Sequence, residues 1–392
     1  MDIRILQTEK DLIQSHELSS IAFNYPMDAE HAREYVTEPD LYDIWGAMED
    51  GKLVSQVRAV NFDMRYHGND VKMFGIGDVS SLVESRNRGH IRALFHAIFM
   101  ERKARGDVFS YLYPFSFKYY EQFGYAQAIS KAHVHFPPSM LSKHRCTCEV
   151  VRHEKGQDPA PYARVFDAFA AQYTGMVRRS DWKRLDEYQP TKNRRVMYLL
   201  RREGVPCAFL GYLPEGEGAT STMKVLDSAW VDEDAMKQLL GFIGSLRSHY
   251  FDCEMWLPQD LPLAQMLDDP YRLRHEVRIA GQARVIDVEA ALSGYPWPAH
   301  KGSIAIRVED DFFEDNCATF LIEYDKDGSR VSRTNQQPDL RLDIRALSPL
   351  LLGTIGYADL LYLDQGWAEI LGNQPALKAA FARRSCYIAE AF

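Results

Sequence analysis

A strand, a basic turn and a helix follow one another in residues 73–98, and this combination limits the folds open to the chain. Residues 73–79 are mostly strand formers, and their interruption by Gly75 and Gly77 is typical of a bulged strand or of one that another backbone approaches closely. After residue 90 the apolar side chains repeat at the spacing of an amphipathic helix. They are Ile91, Leu94, Phe95 and Ile98. The segment therefore predicts a strand that leads through a turn into a helix.

The turn between these elements is basic and contains a glycine. Arg86, Asn87, Arg88 and Gly89 precede the helix, and Arg92 lies in its first turn. The first N–H groups of a helix have no partner in the helix and carry the positive end of its dipole, so a turn without a side chain at Gly89 lets phosphate oxygens reach them. The arginines add charge and planar donors that suit phosphate. The turn predicts a phosphate site, and the alternative is an ordinary helix start with solvated arginines.

A second motif follows in residues 119–125, where the sequence is Tyr-Tyr-x-x-Phe-Gly-Tyr. Together with Arg86-x-x-Gly89, it resembles the two signature motifs of the GCN5-related N-acetyltransferase (GNAT) superfamily. That superfamily often has Gly or Ala two positions after the glycine, whereas this chain has Ile91. A branched residue there is similar to the enhanced intracellular survival (Eis) acetyltransferases, in which Arg-Arg-Gly is followed by two aliphatic residues and an arginine. In this chain His90 replaces the first aliphatic residue.

The resemblance implies an α+β protein with tandem GNAT-fold domains, each a mixed sheet flanked by helices, and a C-terminal α/β domain similar to sterol carrier proteins. We place the N-terminal catalytic domain at residues 1–149, because two prolines end its last strand and a connecting stretch follows. Residues 150–282 alternate helices and strands again but contain no Arg-x-x-Gly turn, which predicts a degenerate GNAT-like domain. Residues 283–392 are expected to form the sterol carrier protein-like domain, and within it the alternation of residues 303–308 and 318–324 predicts a pair of strands.

Acetyl transfer from a thioester to an amine requires a positioned acyl donor, a proton acceptor for the incoming ammonium and a proton donor for the leaving thiolate. The resemblance implies acetyl-CoA as the donor substrate, with no metal, and assigns Tyr120 as the general acid beside the sulfur. It offers the C-terminal carboxylate of Phe392 as the base, although here Ala391 is the penultimate residue and the acidic residue is Glu390. A chain terminus is ionised at neutral pH and can accept a proton.

The residues predicted to hold acetyl-CoA come from a strand end, the basic turn and the next strand end. Backbone N–H groups of the first strand suit the pantetheine arm and the thioester oxygen, and the turn suits the pyrophosphate. The resemblance also implies that Phe115 and Ser116 line the cofactor. The predicted residues are Val79, Ser80, Ser81, Arg86, Asn87, Arg88, Gly89, His90, Ile91, Arg92, Phe115 and Ser116. Four further residues fit either an acceptor pocket or ordinary core or surface positions, and the sequence does not decide between these. They are Phe23, Tyr25, Trp45 and Asp78.

The predicted function is acetyl-CoA-dependent N-acetylation of a small-molecule or peptide amine, either an aminoglycoside-like polyamine or a lysine side chain, by direct attack. Two alternatives from other classes remain open. One is a noncatalytic protein that binds lipid or acyl-CoA through the C-terminal domain, although a fold does not carry its function with it. The other is a nucleotide-binding enzyme, which is disfavoured because neither Gly-x-Gly-x-x-Gly nor a Lys-Ser/Thr phosphate loop is present.

Composition argues against several further classes. The formal net charge of −9 is unlike that of a nucleic-acid binder, which is normally basic. No apolar run approaches the roughly 20 residues of a membrane span and no signal peptide is found, so we expect a cytoplasmic protein without a membrane partner. The six cysteines are too sparse for a disulfide framework, and Cys146-Thr147-Cys148 has no second ligand pair, so no metal site is expected. The resemblance also implies a homo-oligomer, either a trimer or a hexamer.

Overall fold

The computed structural model describes residues 1–27, 41–179, 182–363 and 366–390. These residues divide into two compact units, each assembled from more than one stretch of the chain. The first unit comprises the described residues of 1–129, 281–384 and 389–390, and the second comprises those of 130–280 and 385–388. The domain boundaries placed after residues 149 and 282 are a separate, sequence-based division and stay predictions.

Strands and helices alternate along most of the described chain. The strands are β1 (Asp2–Ile5), β2 (Tyr42–Glu49), β3 (Lys52–Tyr66), β4 (Asn69–Ser81), β5 (Asp107–Leu112), β6 (Ala126–Phe136), β7 (Glu149–Arg152), β8 (Val196–Arg202), β9 (Val205–Glu215), β10 (Thr222–Trp230), β11 (Asp252–Leu257), β12 (Arg274–Val285), β13 (Gly302–Glu309), β14 (Ala318–Asp325), β15 (Gly328–Thr334), β16 (Leu340–Asp343) and β17 (Ala368–Ile370). The α-helices are α1 (Glu9–Phe23), α2 (His90–Ala104), α3 (Phe117–Glu121), α4 (Ala160–Ala170), α5 (Glu233–Ser245), α6 (Leu263–Met266), α7 (Val288–Ser293), α8 (Ile344–Leu352), α9 (Tyr357–Leu360) and α10 (Gln374–Ala380).

The first unit contains a mixed sheet that carries the predicted strand, turn and helix. Its strand order is β1-β2-β3-β4-β5, followed by the end of β12, and β4 and β5 are the parallel pair. Of the apolar side chains predicted from its spacing, helix α2 buries all but Ile91, which is half-buried. Its Phe95 and Phe99 join an aromatic core with Phe74, Phe123 and Tyr125. Burial of each phenylalanine stabilises the fold by roughly 1.5–3 kcal/mol, so this core fixes where α2 begins.

A smaller sheet forms the C-terminal part of the first unit, with strand order β15-β14-β13-β16-β17. The predicted pairing of β13 with β14 is confirmed, because Ser303 to Val308 run antiparallel to Glu323 to Ala318. Strand β16 runs parallel to β13. Nearly all of helix α8 is buried, so this helix is part of the core of the C-terminal region.

The second unit is built on strands in the order β6-β11-β10-β9-β8-β7, of which β10 and β11 are parallel. Asp232 caps helix α5 by accepting a hydrogen bond from the backbone N–H of Ala235 at 2.7 Å. Helices α4 and α5 bury apolar faces against this sheet. Among the described residues of both units, no helix is long and apolar enough to cross a membrane.

The hairpin between β3 and β4 is attached to the C-terminal region through His67. His67 and Gly68 have φ of +49° and +88°, as a two-residue hairpin turn requires. The His67 Nε2 lies 2.7 Å from the backbone carbonyl of Leu351. Burial, together with the nearby Arg384, lowers the pKa of His67, and the Leu351 hydrogen bond opposes this shift. The net pKa is about 4. The imidazole is therefore neutral in the folded protein at physiological pH.

This histidine is expected to make the fold sensitive to acid. Because the folded pKa is about 4 and the unfolded value is about 6.5, its stabilisation is complete above pH 6.5 and is lost as the pH falls toward 4. Asparagine tolerates the positive φ, so His67→Asn should fold. When the pH is lowered from 7 to 5, we expect the free energy of unfolding of this variant to fall by about 2 kcal/mol less than that of wild type. Urea unfolding at both pH values measures this difference. The exposed control His300→Asn should behave like wild type, and an identical loss in His67→Asn would contradict the assignment.

Candidate active site

The candidate site lies where the parallel strands β4 and β5 separate. They are paired from Lys72 and Asp107 up to Ile76 and Leu112. Beyond these residues β4 continues to Ser81 and is paired, in the described part of the chain, with β3 alone. The backbone groups of β4 on the β5 side are therefore open to a ligand that lies along the strand.

The bulge expected in this strand is located one residue after the glycines. The register of β4 against β3 shifts between Gly77 and Ser80, so that β4 carries an extra residue. Asp78 has φ of +49°, a conformation that non-glycine residues rarely adopt. Its carboxylate accepts hydrogen bonds from Ser19 Oγ at 2.8 Å and Gln56 Nε2 at 3.0 Å, which hold this conformation. The role of Asp78 was left undecided by the sequence. In the structure it is half-buried and lies beside the strand opening.

The basic turn has the geometry of an anion site. Asn87 and Gly89 have φ of +63° and +82°, and Gly89 is the N-cap residue of α2 without a side-chain cap. A Cβ atom added at Gly89 would meet no atom within 4 Å, so the space in front of the helix start is empty. Arg86 and Arg88, in the turn just before this helix start, are exposed. The first N–H groups of α2 are therefore free to bind an anion.

The side chain of His90 is turned away from this space, although the residue was predicted to hold the cofactor. It is 4% exposed, and its Nε2 lies 3.1 Å from Glu49 Oε1 while its Nδ1 lies 3.4 Å from Ser55 Oγ. Glu49 also pairs with Arg88 at 3.5 Å. His90 thus anchors the start of α2, and its backbone N–H is what it can offer to a ligand.

The next two residues of α2 are also engaged with the protein. Ile91 packs against the core of the first unit. The guanidinium of Arg92 lies 4.8 Å from the centre of the Phe312 ring, a cation–π contact, so this cation is directed along the helix surface. Their side chains therefore help to hold α2, and Arg86 and Arg88 are the exposed cations in the turn before Gly89.

Tyr120 lies on the short helix α3, just after the end of β5. Ser116 caps this helix, its Oγ accepting from the Tyr119 backbone N–H at 3.3 Å. The Tyr120 ring is 4% exposed and packs edge-on against Tyr119 and Phe115 at centroid distances of 5.1 and 5.5 Å. Its hydroxyl has no hydrogen-bond partner among the described residues. The hydroxyl oxygen is nevertheless not completely sealed from solvent. This leaves an O–H donor available to a ligand.

Burial and the neighbouring Tyr119 raise the pKa of Tyr120 well above the ordinary value for a phenol, so its hydroxyl stays protonated at neutral pH. Phe115, by contrast, is 75% exposed and stands over the two tyrosines. A large exposed aromatic ring beside an unpartnered hydroxyl is the kind of surface that a bound ligand covers.

The remaining residues of the second motif have structural roles. Gly124 has φ of +79°, and a Cβ atom there would lie 1.9 Å from the Arg284 guanidinium. Arg284 and its partner Asp310 are both fully buried, and Arg284 also donates to the Phe123 carbonyl. Tyr125 shares a 2.6 Å hydrogen bond with Ser110 Oγ. The Phe-Gly-Tyr sequence is therefore required by packing around a buried ion pair.

The end of the described chain reaches the same strand opening. The hydroxyl of Tyr113, which directly follows β5, donates to the backbone carbonyl of Glu390. Burial raises the pKa of Tyr113, and the nearby Glu390 raises it further, so this donor stays protonated. Phe392, the predicted base, lies outside the described residues. Sequence analysis missed Tyr113 and Glu49, because each acts through a partner far away in the chain.

Comparisons with known proteins give the class to which this chain belongs. Residues 2–128 match a family model described as an acetyltransferase (GNAT) domain, and residues 175–285 match a second model with the same description. Residues 288–387 match a sterol carrier protein domain. The chain therefore belongs to the GNAT superfamily and is an N-acetyltransferase, a class whose domains generally use acetyl-CoA. These matches confirm the predicted α+β architecture of two GNAT domains and a sterol carrier protein-like domain.

Solved structures with a similar fold extend over the whole chain. The chain is similar over its full length to Eis1 from Mycobacterium abscessus, with 22% identity, 100% coverage of both chains and a TM-score of 0.83. It is also similar to a GCN5-related N-acetyltransferase from Anabaena variabilis, with 19% identity, 100% coverage of both chains and a TM-score of 0.86. A GCN5-related N-acetyltransferase from Kribbella flavida matches with 19% identity, 100% coverage of this chain, 98% of the other and a TM-score of 0.80. Among curated protein sequences, none matches.

Proposed function

We propose that this enzyme transfers an acetyl group from acetyl-CoA directly to an amine, either an aminoglycoside-like polyamine or a lysine side chain. The observation that carries the proposal is the opening between β4 and β5, which has the uncapped start of α2 at the Gly89 turn and the unpartnered Tyr120 hydroxyl beside the end of β5. A thioester attached to a diphosphate through a long arm matches such a combination of an anion site, an open strand edge and a proton donor.

The diphosphate of acetyl-CoA would bind at the start of α2. The first backbone N–H groups of the helix point toward the empty space in front of Gly89, and Arg86 and Arg88 are exposed beside it. Donors of this kind bind phosphate oxygens through charge-assisted hydrogen bonds. His90, Ile91 and Arg92 would contribute through backbone groups and through the position they give to α2.

The pantetheine arm would lie along the open edge of β4. Its amides can form strand-like hydrogen bonds with Val79 to Ser81, whose β5-facing groups have no strand partner in the described structure. The same N–H groups can stabilise the charge that develops on the thioester oxygen. Phe115 and Ser116, at the end of β5, would cover the arm from the other side.

Tyr120 would act on the leaving sulfur. An ordinary thiol has a pKa of about 8.5, and the buried Tyr120 phenol has a pKa raised above its normal range. The thiolate is therefore less basic than the phenolate, so Tyr120, our proposed general acid, acts mainly through a hydrogen bond to the developing thiolate. The free thiol forms when the sulfur takes up one of the protons that the ammonium releases.

The amine would approach from the side of Asp78. This carboxylate lies at the bulge of β4 next to Ser19, and an anion there attracts a cationic amine. The terminal carboxylate of Phe392 is our proposed base, supported by the hydrogen bond that brings Glu390 to Tyr113. Loss of the proton from the ammonium frees the nitrogen lone pair, which attacks the thioester carbon.

A ligand panel tests this function. Thermal unfolding is measured with acetyl-CoA, CoA, ATP, NAD and a fatty acid, and release of the CoA thiol is then followed with an aminoglycoside and with a lysine peptide. We expect acetyl-CoA and CoA to stabilise the protein, by about 2.7 kcal/mol at a 100-fold excess over Kd. Thiol release should depend on the amine. Stabilisation by the fatty acid or by ATP alone, without thiol release, would contradict the proposal.

Replacing Gly89 by valine tests the phosphate site. A β-branched residue is strained at φ of +82° and its side chain would occupy the empty space, so we expect the Kd for acetyl-CoA to rise at least about tenfold. Gly68→Val is the matched control, because Gly68 has φ of +88° and empty space around it but lies at the opposite end of β4. Equal weakening of acetyl-CoA binding in both variants would show that strain alone is responsible.

A further inference from the structure

A cluster of ligand-type side chains lies in the second unit, on strands β6 and β11. His133 and His135 alternate on β6 and so share one face of the sheet, and Glu254 on β11 is the strand partner of His135. One ligand atom from each of these three residues lies within 4.8 Å of the others. Two imidazoles and a carboxylate are a ligand set that transition metals, zinc above all, favour in proteins.

His133 is held in place with part of its hydrogen-bonding capacity unused. Its side chain is 9% exposed, and its Nε2 lies 2.9 Å from Glu254 Oε1. The ring stacks on Trp256, with centroids 4.3 Å apart and planes inclined by 23°. The Nε2 that lies beside Glu254 is therefore the His133 nitrogen nearest to a second ligand-type atom, and it can bind a metal when this hydrogen bond is given up. Its buried Nδ1 has no hydrogen-bond partner among the described residues.

His135 has the support typical of a metal-binding histidine. Its Nδ1 lies 3.1 Å from Asp252 Oδ2, and Arg274 holds the same carboxylate oxygen at 3.0 Å. When Nδ1–H donates to a carboxylate, Nε2 keeps its lone pair for a metal, and carboxylate–histidine pairs of this kind orient metal ligands. The Asp252 contact therefore makes His135 a directed ligand.

We propose that His133, His135 and Glu254 form a binding site for a divalent transition-metal ion, with Zn²⁺ as the best fit. Ligands at about 2.0–2.2 Å from a tetrahedral zinc lie about 3.3 Å from one another, so small side-chain rotations bring the three atoms into range. The ion displaces the proton shared by His133 and Glu254 and links β6 to β11. His135 and Glu254 are 21% and 20% exposed, which leaves a path for the ion and a fourth position for water.

The charges around the cluster are compatible with a bound cation. Lys224, next to Glu254 on β10, directs its ammonium to Glu215 at 3.3 Å. Asp252 brings a further carboxylate to the cluster, and Arg274, paired with it at 3.0 Å, offsets that charge. The site takes no part in the acetyl transfer proposed above, and its failure would leave that proposal untouched.

Zinc titration of tag-free, chelator-treated protein tests the site. Calorimetry should give one Zn²⁺ per chain, with an increase in the unfolding temperature at saturation. We expect Glu254→Gln, which keeps the size of the side chain, and His135→Asn, which replaces the imidazole with a smaller polar group, to weaken Zn²⁺ binding at least about tenfold. Asp252→Asn should weaken it by a smaller factor and leave the stoichiometry unchanged.

Two control variants separate this cluster from other sources of zinc binding. His249→Asn removes an exposed histidine of the same unit, and Cys148→Ser removes one member of a cysteine pair whose sulfur atoms are 3.8 Å apart. Both should bind Zn²⁺ like wild type. Co²⁺ added to wild-type protein should give a d–d spectrum without a thiolate charge-transfer band, a readout that does not depend on whether a variant folds. Absence of Zn²⁺ binding, binding unaffected by Glu254→Gln and His135→Asn, or a thiolate band would overturn the proposal.

Discussion

Replacing Tyr120 with phenylalanine is expected to lower kcat by about 10²- to 10⁴-fold, the range usual for loss of a positioned proton donor. The ring and its contacts with Phe115 and Tyr119 stay in place, so the dissociation constant for CoA should remain close to that of wild type. The reason for the loss is that the hydroxyl has no hydrogen-bond partner among the described residues and stays protonated, because burial raises its pKa. Steady-state thiol release and CoA calorimetry measure the two quantities separately.

Tyr119→Phe is the matched control for this experiment. Tyr119 is adjacent in sequence, belongs to the same aromatic group and is half-buried. Its loss should change kcat little, since we assign no proton transfer to it. If Tyr119→Phe had the larger effect, the general acid would be assigned to the wrong tyrosine. If neither variant lowered kcat, the sulfur would leave without help from this helix.

Extending the chain by a few residues beyond Phe392 is expected to lower kcat about 10²-fold or more, because the proposed base is displaced while the net charge is kept. A stop codon after Glu390 is a poorer test, since it creates a new terminal carboxylate close to Tyr113. CoA binding should be unaffected by the extension. Thiol release at saturating acetyl-CoA and amine measures the effect.

The same extra residues added before Met1 provide the control and should leave kcat unchanged. Full activity of the C-terminally extended protein would remove Phe392 from the mechanism. A loss of CoA binding together with kcat would instead mean that the extension obstructs the opening between β4 and β5.

The local patterns of the first unit could be predicted from the sequence, because each depends on neighbouring residues. The apolar spacing of α2 and the glycine before it identify the helix and its start, and the helix runs from His90 to Ala104. Alternation likewise identified β13 and β14 as a pair. Such features are encoded within one or two turns or strands, where the periodicity of side chains is informative.

Features that depend on distant contacts were not predictable in this way. His90 follows an exposed basic turn and looks like a ligand residue, but Glu49 from another strand holds it in the interior. The left-handed position in β4 is occupied by Asp78, where sequence preference favours a neighbouring glycine. Arg284 carries no pattern that shows it to be buried, although Gly124 can be understood only from its guanidinium.

Several strands lack the alternation by which strands are recognised. In the first part of β12, residues 274–279 are exposed on both faces of the strand. Neither face is buried there, so no alternation of polar and apolar side chains is required. Strand β15 is polar apart from Gly328 and Val331 and was not predicted, because it lies at the edge of its sheet where a buried face is not required. The metal-ligand cluster on β6 and β11 was missed for a related reason, since its residues are brought together by strand pairing.

The central claim is that acetyl-CoA binds at the start of α2 with its thioester beside Tyr120. A crystal structure of the protein with CoA tests it directly. The account predicts pyrophosphate oxygens about 3 Å from the backbone N–H groups that follow Gly89, and the sulfur within hydrogen-bonding reach of the Tyr120 hydroxyl. CoA bound elsewhere, or bound at the turn with its sulfur directed away from Tyr120, would contradict it.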